Sequence, residues 1–246
     1  MTPRELFYST PVQPPAAKAP APAKPGKASK PAAAPDAKQT PKPAEQAVAR
    51  PLGLRYSIVK YGPGGSGSEV DSDSVFHTGD RIRLRVRVND AGYLYVAHKG
   101  SSGAWQILFP SKDLDGGINE VLPGREYDVP ASTRLVFDET PGEERLFIIL
   151  ARQPESQLDR IIYDLDRAPQ PLEDKRAKTL IAEARIPDSS IGKLRMTARD
   201  LVFEKVDSSR PTPVPSGAKA ETAVYVVNAS GAKDSRVVAD VTLKHR

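Results

Sequence analysis

The chain has 246 residues, enough for one large domain or two small ones, and its hydrophobic content of 39% is low for a chain that is packed throughout. It has no cysteine, which excludes disulfides, thiolate nucleophiles and thiolate metal sites. The net charge of +5 is carried by residues 11–51, which hold six lysines and Arg50 against Asp36 and Glu45. This location predicts weak polyanion binding by that segment and no specific nucleic-acid recognition.

Residues 1–10, "MTPRELFYST", form a short strand-like motif that recurs at residues 196–205 as "MTARDLVFEK". The repeat is either coincidental, or it marks two equivalent short strands or two docking peptides. This stretch lacks the cationic and apolar regions of a signal peptide. The protein is therefore either cytoplasmic, or periplasmic or secreted if the recorded chain begins downstream of an export signal. No apolar run approaches the roughly 20 residues that a transmembrane helix requires.

Residues 11–51 are rich in proline, alanine and lysine, with almost no side chains that a core would bury. Such a composition predicts a disordered linker, because burial cannot offset the conformational entropy lost on folding. Its prolines favour the polyproline II conformation, so we expect a semi-rigid spacer.

From residue 52 the sequence predicts a mainly β fold with an antiparallel, immunoglobulin-like sandwich over residues 52–154. Apolar and polar residues alternate in "RIRLRVRV" (81–88), and further short apolar runs are separated by Gly, Pro and Asp turns. The run Leu146–Leu150 is apolar on both faces, which is typical of a covered central strand.

Beyond residue 154 we predict two short helices over 155–187 and a C-terminal extension, residues 188–246, with a β-hairpin. Apolar residues recur at helical spacing from Leu158 to Leu165 and from Leu172 to Ala184, and Pro187 ends the second helix. The run "TAVYVVNASGAKDSRVVADVTLKH" reads as two strands joined by a turn.

Catalytic and metal-binding patterns find no support. Glycines 62, 64 and 67 match the G-x-G-x-x-G spacing of a dinucleotide-binding turn, but no helix follows that would hold a pyrophosphate. The Asp71/Asp73 and Asp113/Asp115 pairs lack the remaining ligands of a calcium loop, so we interpret them as solvated turn acids. The three histidines are far apart in sequence. We therefore predict a protein that is not an enzyme and has no cofactor or metal.

One candidate ligand face remains, formed by the arginines that occupy alternate positions of one strand and by nearby aromatic residues. The arginines emerge on one face of the strand, where they form either a solvated surface offset by Glu126 and Asp128 or an anion-binding site. The aromatic residues form either a stacking platform or ordinary packing. The candidate residues are Arg81, Arg83, Arg85, Arg87, Tyr93, Tyr95 and Trp105.

The sequence contains, in order, the motifs F-x-x-G-D, G-Y-L-Y, L-F-P and a late Pro-Gly. Their residues are Phe76, Gly79, Asp80, Gly92, Tyr93, Leu94, Tyr95, Leu108, Phe109, Pro110, Pro123 and Gly124. With these motifs, residues 54–154 resemble domain-of-unknown-function family 4384, a bacterial module. The resemblance implies a β-sandwich-like module with no assigned activity, which often accompanies peptidases or kinases or occurs in exported proteins.

Together these features favour a non-catalytic interaction or accessory module of the cell envelope or of a secreted protein, with an unknown protein or envelope component as its partner. The alternative is a module that binds acidic glycans or other polyanions through the Arg81–Arg87 strand face.

Overall fold

The computed structural model describes residues 1–9, 50–100, 103–111, 114–159, 186–197, 200–207 and 221–246. Most of the predicted linker and most of the two predicted helices, including everything from residue 160 to residue 185, lie outside the described residues. The described residues include the α-helices α1 (Pro3–Ser9) and α2 (Asp188–Thr197), and residues 156–159 are also helical. The described helices are too short and too polar to cross a lipid bilayer.

The described residues also form thirteen strands. They are β1 (Leu52–Tyr61), β2 (Gly67–Val70), β3 (Val75–Phe76), β4 (Arg81–Val88), β5 (Gly92–Lys99), β6 (Trp105–Phe109), β7 (Glu120–Val121), β8 (Glu126–Val129), β9 (Leu135–Val136), β10 (Gly142–Ala151), β11 (Leu201–Val206), β12 (Ala223–Asn228) and β13 (Arg236–His245).

The strands form two sheets that pack face to face, so the predicted mainly β sandwich is confirmed. The first sheet has the order β11-β12-β1-β4-β8, with β2 beside β1 and β9 beside β4. The second has the order β3-β13-β10-β5-β6, with β7 beside β5. Among the strands described above, β13 and β3 pair in parallel and all other pairs are antiparallel. The main core lies between the sheets, where alternate residues such as Leu84, Val86, Leu146 and Ile148 are fully buried.

The outer face of each sheet is covered in part by a helix. Phe147, Ile149 and Ala151 of β10 face away from the main core and pack beneath Ile191 and Leu194 of α2. This explains why β10 is apolar on both faces. On the other sheet, Phe7 of α1 packs on Tyr225 and Val227 of β12. Two small satellite cores therefore flank the sandwich.

The predicted C-terminal hairpin is wrong, because its two strands lie in different sheets. Strand β12 pairs with β1 and β11, whereas β13 pairs with β10 and β3. The turn between the strands crosses from one sheet to the other, and Asn228 Nδ2 donates to the Arg236 carbonyl across it at 3.0 Å. Alternation in sequence identifies a buried face but does not say which sheet a strand joins.

Two other predictions also need correction. Residues 1–10 do not form a strand-like motif, since Pro3–Ser9 is helical, while the second copy of the repeat continues into strand β11. The repeat therefore does not mark two equivalent strands. Helix α2 begins at Asp188, directly after Pro187, and the second predicted helix, from Leu172 to Ala184, lies outside the described residues. Residues 52–154 are also not a closed unit, because β12 and β13 complete both sheets.

Candidate anion-binding site

The four arginines of β4 lie on the outer face of the first sheet, as the alternation predicts. Ile82, Leu84, Val86 and Val88 point into the main core, and the residues between them point outward. Strand β1 lies along one side of β4, where Tyr61 is opposite Arg81 and Ser57 is opposite Arg85. The short strands β8 and β9 lie along the other side.

Arg85, in one half of the arginine row, is neutralised by acids on β8. Arg85 Nε donates to Asp128 Oδ1 at 2.7 Å, Arg85 Nη2 donates to Asp128 Oδ2 at 3.0 Å, and Glu126 lies 3.7 Å away. These bonds to Asp128 raise the pKa of Arg85 above its ordinary value, against the opposing effect of burial. Arg87 is directly opposite Glu126 in the register. The predicted roles of Glu126 and Asp128 are therefore confirmed for Arg85.

The other half of the row has a different environment. Arg81 and Arg83 line an open cleft of about 410 Å³ with Arg134, Ser132, Thr133 and Val136. Within the part of the chain that the structure describes, Arg81, Arg83 and Arg134 form no ion pair with a carboxylate. Three cations thus line one cleft, and no carboxylate among the described residues is paired with them.

Tyr61 and the turn before β9 hold two of these arginines in place. The guanidinium carbon of Arg134 lies 4.0 Å from the centre of the Tyr61 ring, and that of Arg83 lies 5.7 Å from the same centre. Arg83 Nε also donates to the Thr133 carbonyl at 2.8 Å. Stacking on an aromatic ring is favourable for a guanidinium and leaves its edge available for hydrogen bonds.

The three predicted aromatic residues do not join this face, because they belong to the opposite sheet. Tyr95 and Trp105 are only 2% and 3% exposed, and both pack in the satellite core beneath α2, against which Tyr93 also packs. The Tyr95 hydroxyl donates to Asp159 Oδ1 at 2.7 Å, and Trp105 Nε1 donates to Asp188 Oδ1 at 2.7 Å. These bonds tie the covering helices to the sheet, so the aromatic residues serve packing rather than ligand stacking.

The sequence pattern identifies neither Arg134, which lines the cleft, nor Tyr61, whose ring lies against Arg134 and Arg83. Tyr61 ends β1, and Arg134 lies in "STRLVFD", where nothing in the local pattern distinguishes it from a solvated loop arginine. The pairing of β9 with β4 places Arg134 at the cleft, and the local sequence does not predict that pairing.

The histidines and turn acids have structural contacts. His98 Nε2 lies 2.7 Å from Glu144 Oε2, His245 is buried against Phe137, and the backbone N–H of His77 donates to Asp80.

Lys205 forms ion pairs with both Asp71 and Asp73. Asp113 and the side chain of Asp115 lie outside the described residues. In the described ranges, no group of three His, Asp or Glu side chains is arranged to hold a metal ion.

The fold and the cleft together define a β-sandwich module with a basic surface site. Residues 75–154 match the family described as a domain of unknown function, DUF4384, so the chain carries a DUF4384 domain over that range. The matched range begins at β3, later than the residue 54 at which the sequence resemblance began. Searches of the curated proteins and of the solved structures find no match to this chain.

The residues that carry the family resemblance support the scaffold. Phe76 is fully buried and stacks on Phe137 with 4.8 Å between ring centres. Gly79 has a φ of 85°, which side-chain-bearing residues rarely adopt, and Asp80 next to it accepts a hydrogen bond from Lys60 at 2.6 Å. Gly92 lies so close to β10 that a Cβ there would be 2.7 Å from the Ala151 carbonyl oxygen. The residues of the family motif thus form turns and packing contacts, and none of them lines the arginine cleft.

Proposed function

We propose that this protein is a non-catalytic interaction module that binds an acidic group of its ligand in the arginine cleft. The convergence of Arg81, Arg83 and Arg134 on one open cavity supports this proposal. The ligand is an acidic glycan or another polyanion that presents sulfate, phosphate or carboxylate groups. Guanidinium groups bind such oxyanions through pairs of parallel hydrogen bonds, which gives orientation as well as charge attraction.

Preorganisation strengthens the case for binding. The ring of Tyr61 and the Thr133 carbonyl restrain Arg134 and Arg83 before a ligand arrives. Less side-chain entropy is then lost when an anion binds. The hydroxyl of Thr133 at the same cleft offers a further hydrogen bond to an oxyanion.

The cleft is suited to binding rather than to proton transfer. Its polar side chains are three arginines and two hydroxyls, and none of them is an ordinary proton acceptor at neutral pH. As part of the proposal we place the module in the cell envelope or outside the cell, since the family resemblance implies such settings. The partner then is an envelope component that carries negative charge.

The test must separate the cleft from the lysine-rich segment, because that segment attracts any polyanion. We start from the full chain in which the six lysines of residues 11–51 are changed to glutamine. Its affinity for a short sulfated heparin fragment is measured by calorimetry at several salt concentrations. We expect binding that weakens with salt, and a loss of about tenfold for each of Arg83→Gln and Arg134→Gln.

Arg87→Gln is the matched control, since it removes the same charge from the same face of β4 but from the half that faces the acids of β8. We expect it to change the affinity less than twofold. The proposal fails if the chain without the six lysines of residues 11–51 does not bind the fragment at low salt. It also fails if Arg87→Gln weakens binding as much as Arg83→Gln does.

A further inference from the structure

The N-terminal helix α1 binds to the outer face of the first sheet as a short peptide binds to a receptor. Glu5 and Thr2 cap the helix reciprocally: the Glu5 N–H donates to Thr2 Oγ1 and the Thr2 N–H donates to Glu5 Oε2. A seven-residue helix is not stable alone in water, so its conformation depends on the surface beneath it.

Two side chains anchor the helix. Phe7 is 5% exposed and makes an edge contact with Tyr225, 5.3 Å between ring centres. Arg4 is 8% exposed and forms an ion pair with Glu221 at 2.7 Å, while its backbone N–H donates to Glu204 at 2.8 Å. Arg4 and Phe7 are three residues apart and so lie on one side of the helix.

The groove that receives them has a specific chemistry. Arg55 lies between two carboxylates, 2.8 Å from Glu69 and 3.1 Å from Glu221, and Glu204 adds a third nearby acid. Without α1 the groove therefore carries more negative than positive charge. Tyr225 and Val227 supply its apolar floor, and Gly53 leaves the space that the Phe7 ring uses. Such a groove fits a helical peptide with an arginine and a phenylalanine three positions apart.

The chain between α1 and the sandwich is much longer than this docking requires. Phe7 lies against Gly53, where a Cβ would be 3.2 Å from the ring. Ser9 and Arg50 are therefore within roughly 25 Å of each other, a span that about eight extended residues cover. The sequence provides the 40 residues at positions 10–49. A longer connection lowers the effective concentration of α1 at its own groove, which favours competition by other peptides.

We propose that this groove is a peptide-binding site that exchanges its own α1 for the Met1–Ser9 segment of a second copy of the chain. The second copy is the occupant because its segment brings the same contacts that the structure displays. In a dilute solution each groove is filled by its own helix, and exchange becomes important when the copies are crowded together.

The test uses two full-length variants in which α1 does not bind to the groove of its own chain. Phe7→Ala weakens the helix and leaves the groove open, whereas Gly53→Val fills the space for the Phe7 ring and leaves the helix free. Each variant alone should sediment as a monomer. An equimolar mixture should form a one-to-one complex, and a synthetic Met1–Thr10 peptide should bind the Phe7→Ala chain at least tenfold more tightly than the wild-type chain.

Two controls keep the result interpretable. Gly142→Val introduces the same side chain on a strand where nothing lies within 4 Å, and it should not replace Gly53→Val in the mixture. Circular dichroism verifies that both partners are folded, and Glu221→Gln is a second way to disable the groove. The proposal is overturned if the mixture remains monomeric, or if the peptide binds the wild-type and Phe7→Ala chains equally.

Discussion

Two arginines of the same strand have different roles because their surroundings differ. Arg83 and Arg85 both point outward from β4, yet Arg85 is neutralised by Asp128 and Arg83 faces a cleft with two further arginines. The sequence predicts the shared face, because side chains alternate along any strand. It does not predict the division between the two halves, which depends on β8 and on Arg134 from a distant turn.

The network beneath α1 makes the stability of the protein depend on pH. Burial alone would raise the pKa of Glu69, but Arg55, Ser57 and the Thr222 N–H outweigh it, so the pKa lies below its ordinary value. A carboxylate whose pKa is lowered by folding stabilises the native state above its unfolded pKa. This stabilisation is lost as the pH falls toward the folded pKa.

We therefore predict that Glu69→Gln lowers the free energy of unfolding by about 2 kcal/mol at pH 7, because the charge of Arg55 loses a buried partner. The difference from wild type should narrow as the pH is lowered from 5 to 3, as measured by urea denaturation. Glu143→Gln serves as a control, since Glu143 is largely exposed and its ion pair with Arg145 is long, at 3.5 Å. If the difference in free energy of unfolding between wild type and Glu69→Gln stays constant over this pH range, Glu69 does not have a lowered pKa in the folded protein.

At the scale of elements, the sequence predicts the long strands correctly but not the N-terminal helix. Strands β4, β5 and β10 have the alternating or fully apolar patterns that their positions demand. The sequence of helix α1 does contain a helix signal, because Thr2 and Glu5 have capping-box spacing and Pro3 occupies the first helical position. The similarity to residues 196–205 instead favours a strand. In the second copy, Asp200 adopts a φ of 57° and the chain then enters β11.

The pairing of β5 with β10 depends on a glycine. A Cβ at Gly92 would meet the Ala151 carbonyl oxygen at 2.7 Å, a distance that requires the backbone to move. We predict that Gly92→Ala lowers the free energy of unfolding by about 2 kcal/mol or more. Gly142→Ala, at the other end of β10, has open space and should change it by less than about 0.5 kcal/mol. Chemical denaturation of the two variants distinguishes this steric account from a general cost of replacing strand glycines.

At the scale of the whole molecule, the sandwich extends well beyond the residues that match the family. Both sheets need strands from outside residues 75–154, since β1 and β12 lie in the centre of the first sheet and β13 in the second. Local patterns could identify these strands, but not the long-range pairings that place them. The candidate site shows the same limit, because it joins β1, β4 and the turn before β9.

We predict that a chain shortened to residues 75–154 does not fold. Strand β10 would lose its pairing with β13 over its full length, and β4 would lose its pairing with β1. Proton NMR should show poor chemical-shift dispersion for the shortened chain and wide dispersion for the full chain. A cooperative unfolding transition of residues 75–154 alone would refute this interpretation.

The crossing of β12 and β13 between sheets also sets an order of events during synthesis. The neighbour of β10 is made about 90 residues later, and the neighbour of β1 about 170 residues later. Until residues 223–245 have left the ribosome, β1 and β10 each expose an unpaired edge. Contacts between such distant segments form slowly, and exposed edges promote aggregation. Ribosome-bound chains that end before β13 should therefore depend most strongly on chaperones.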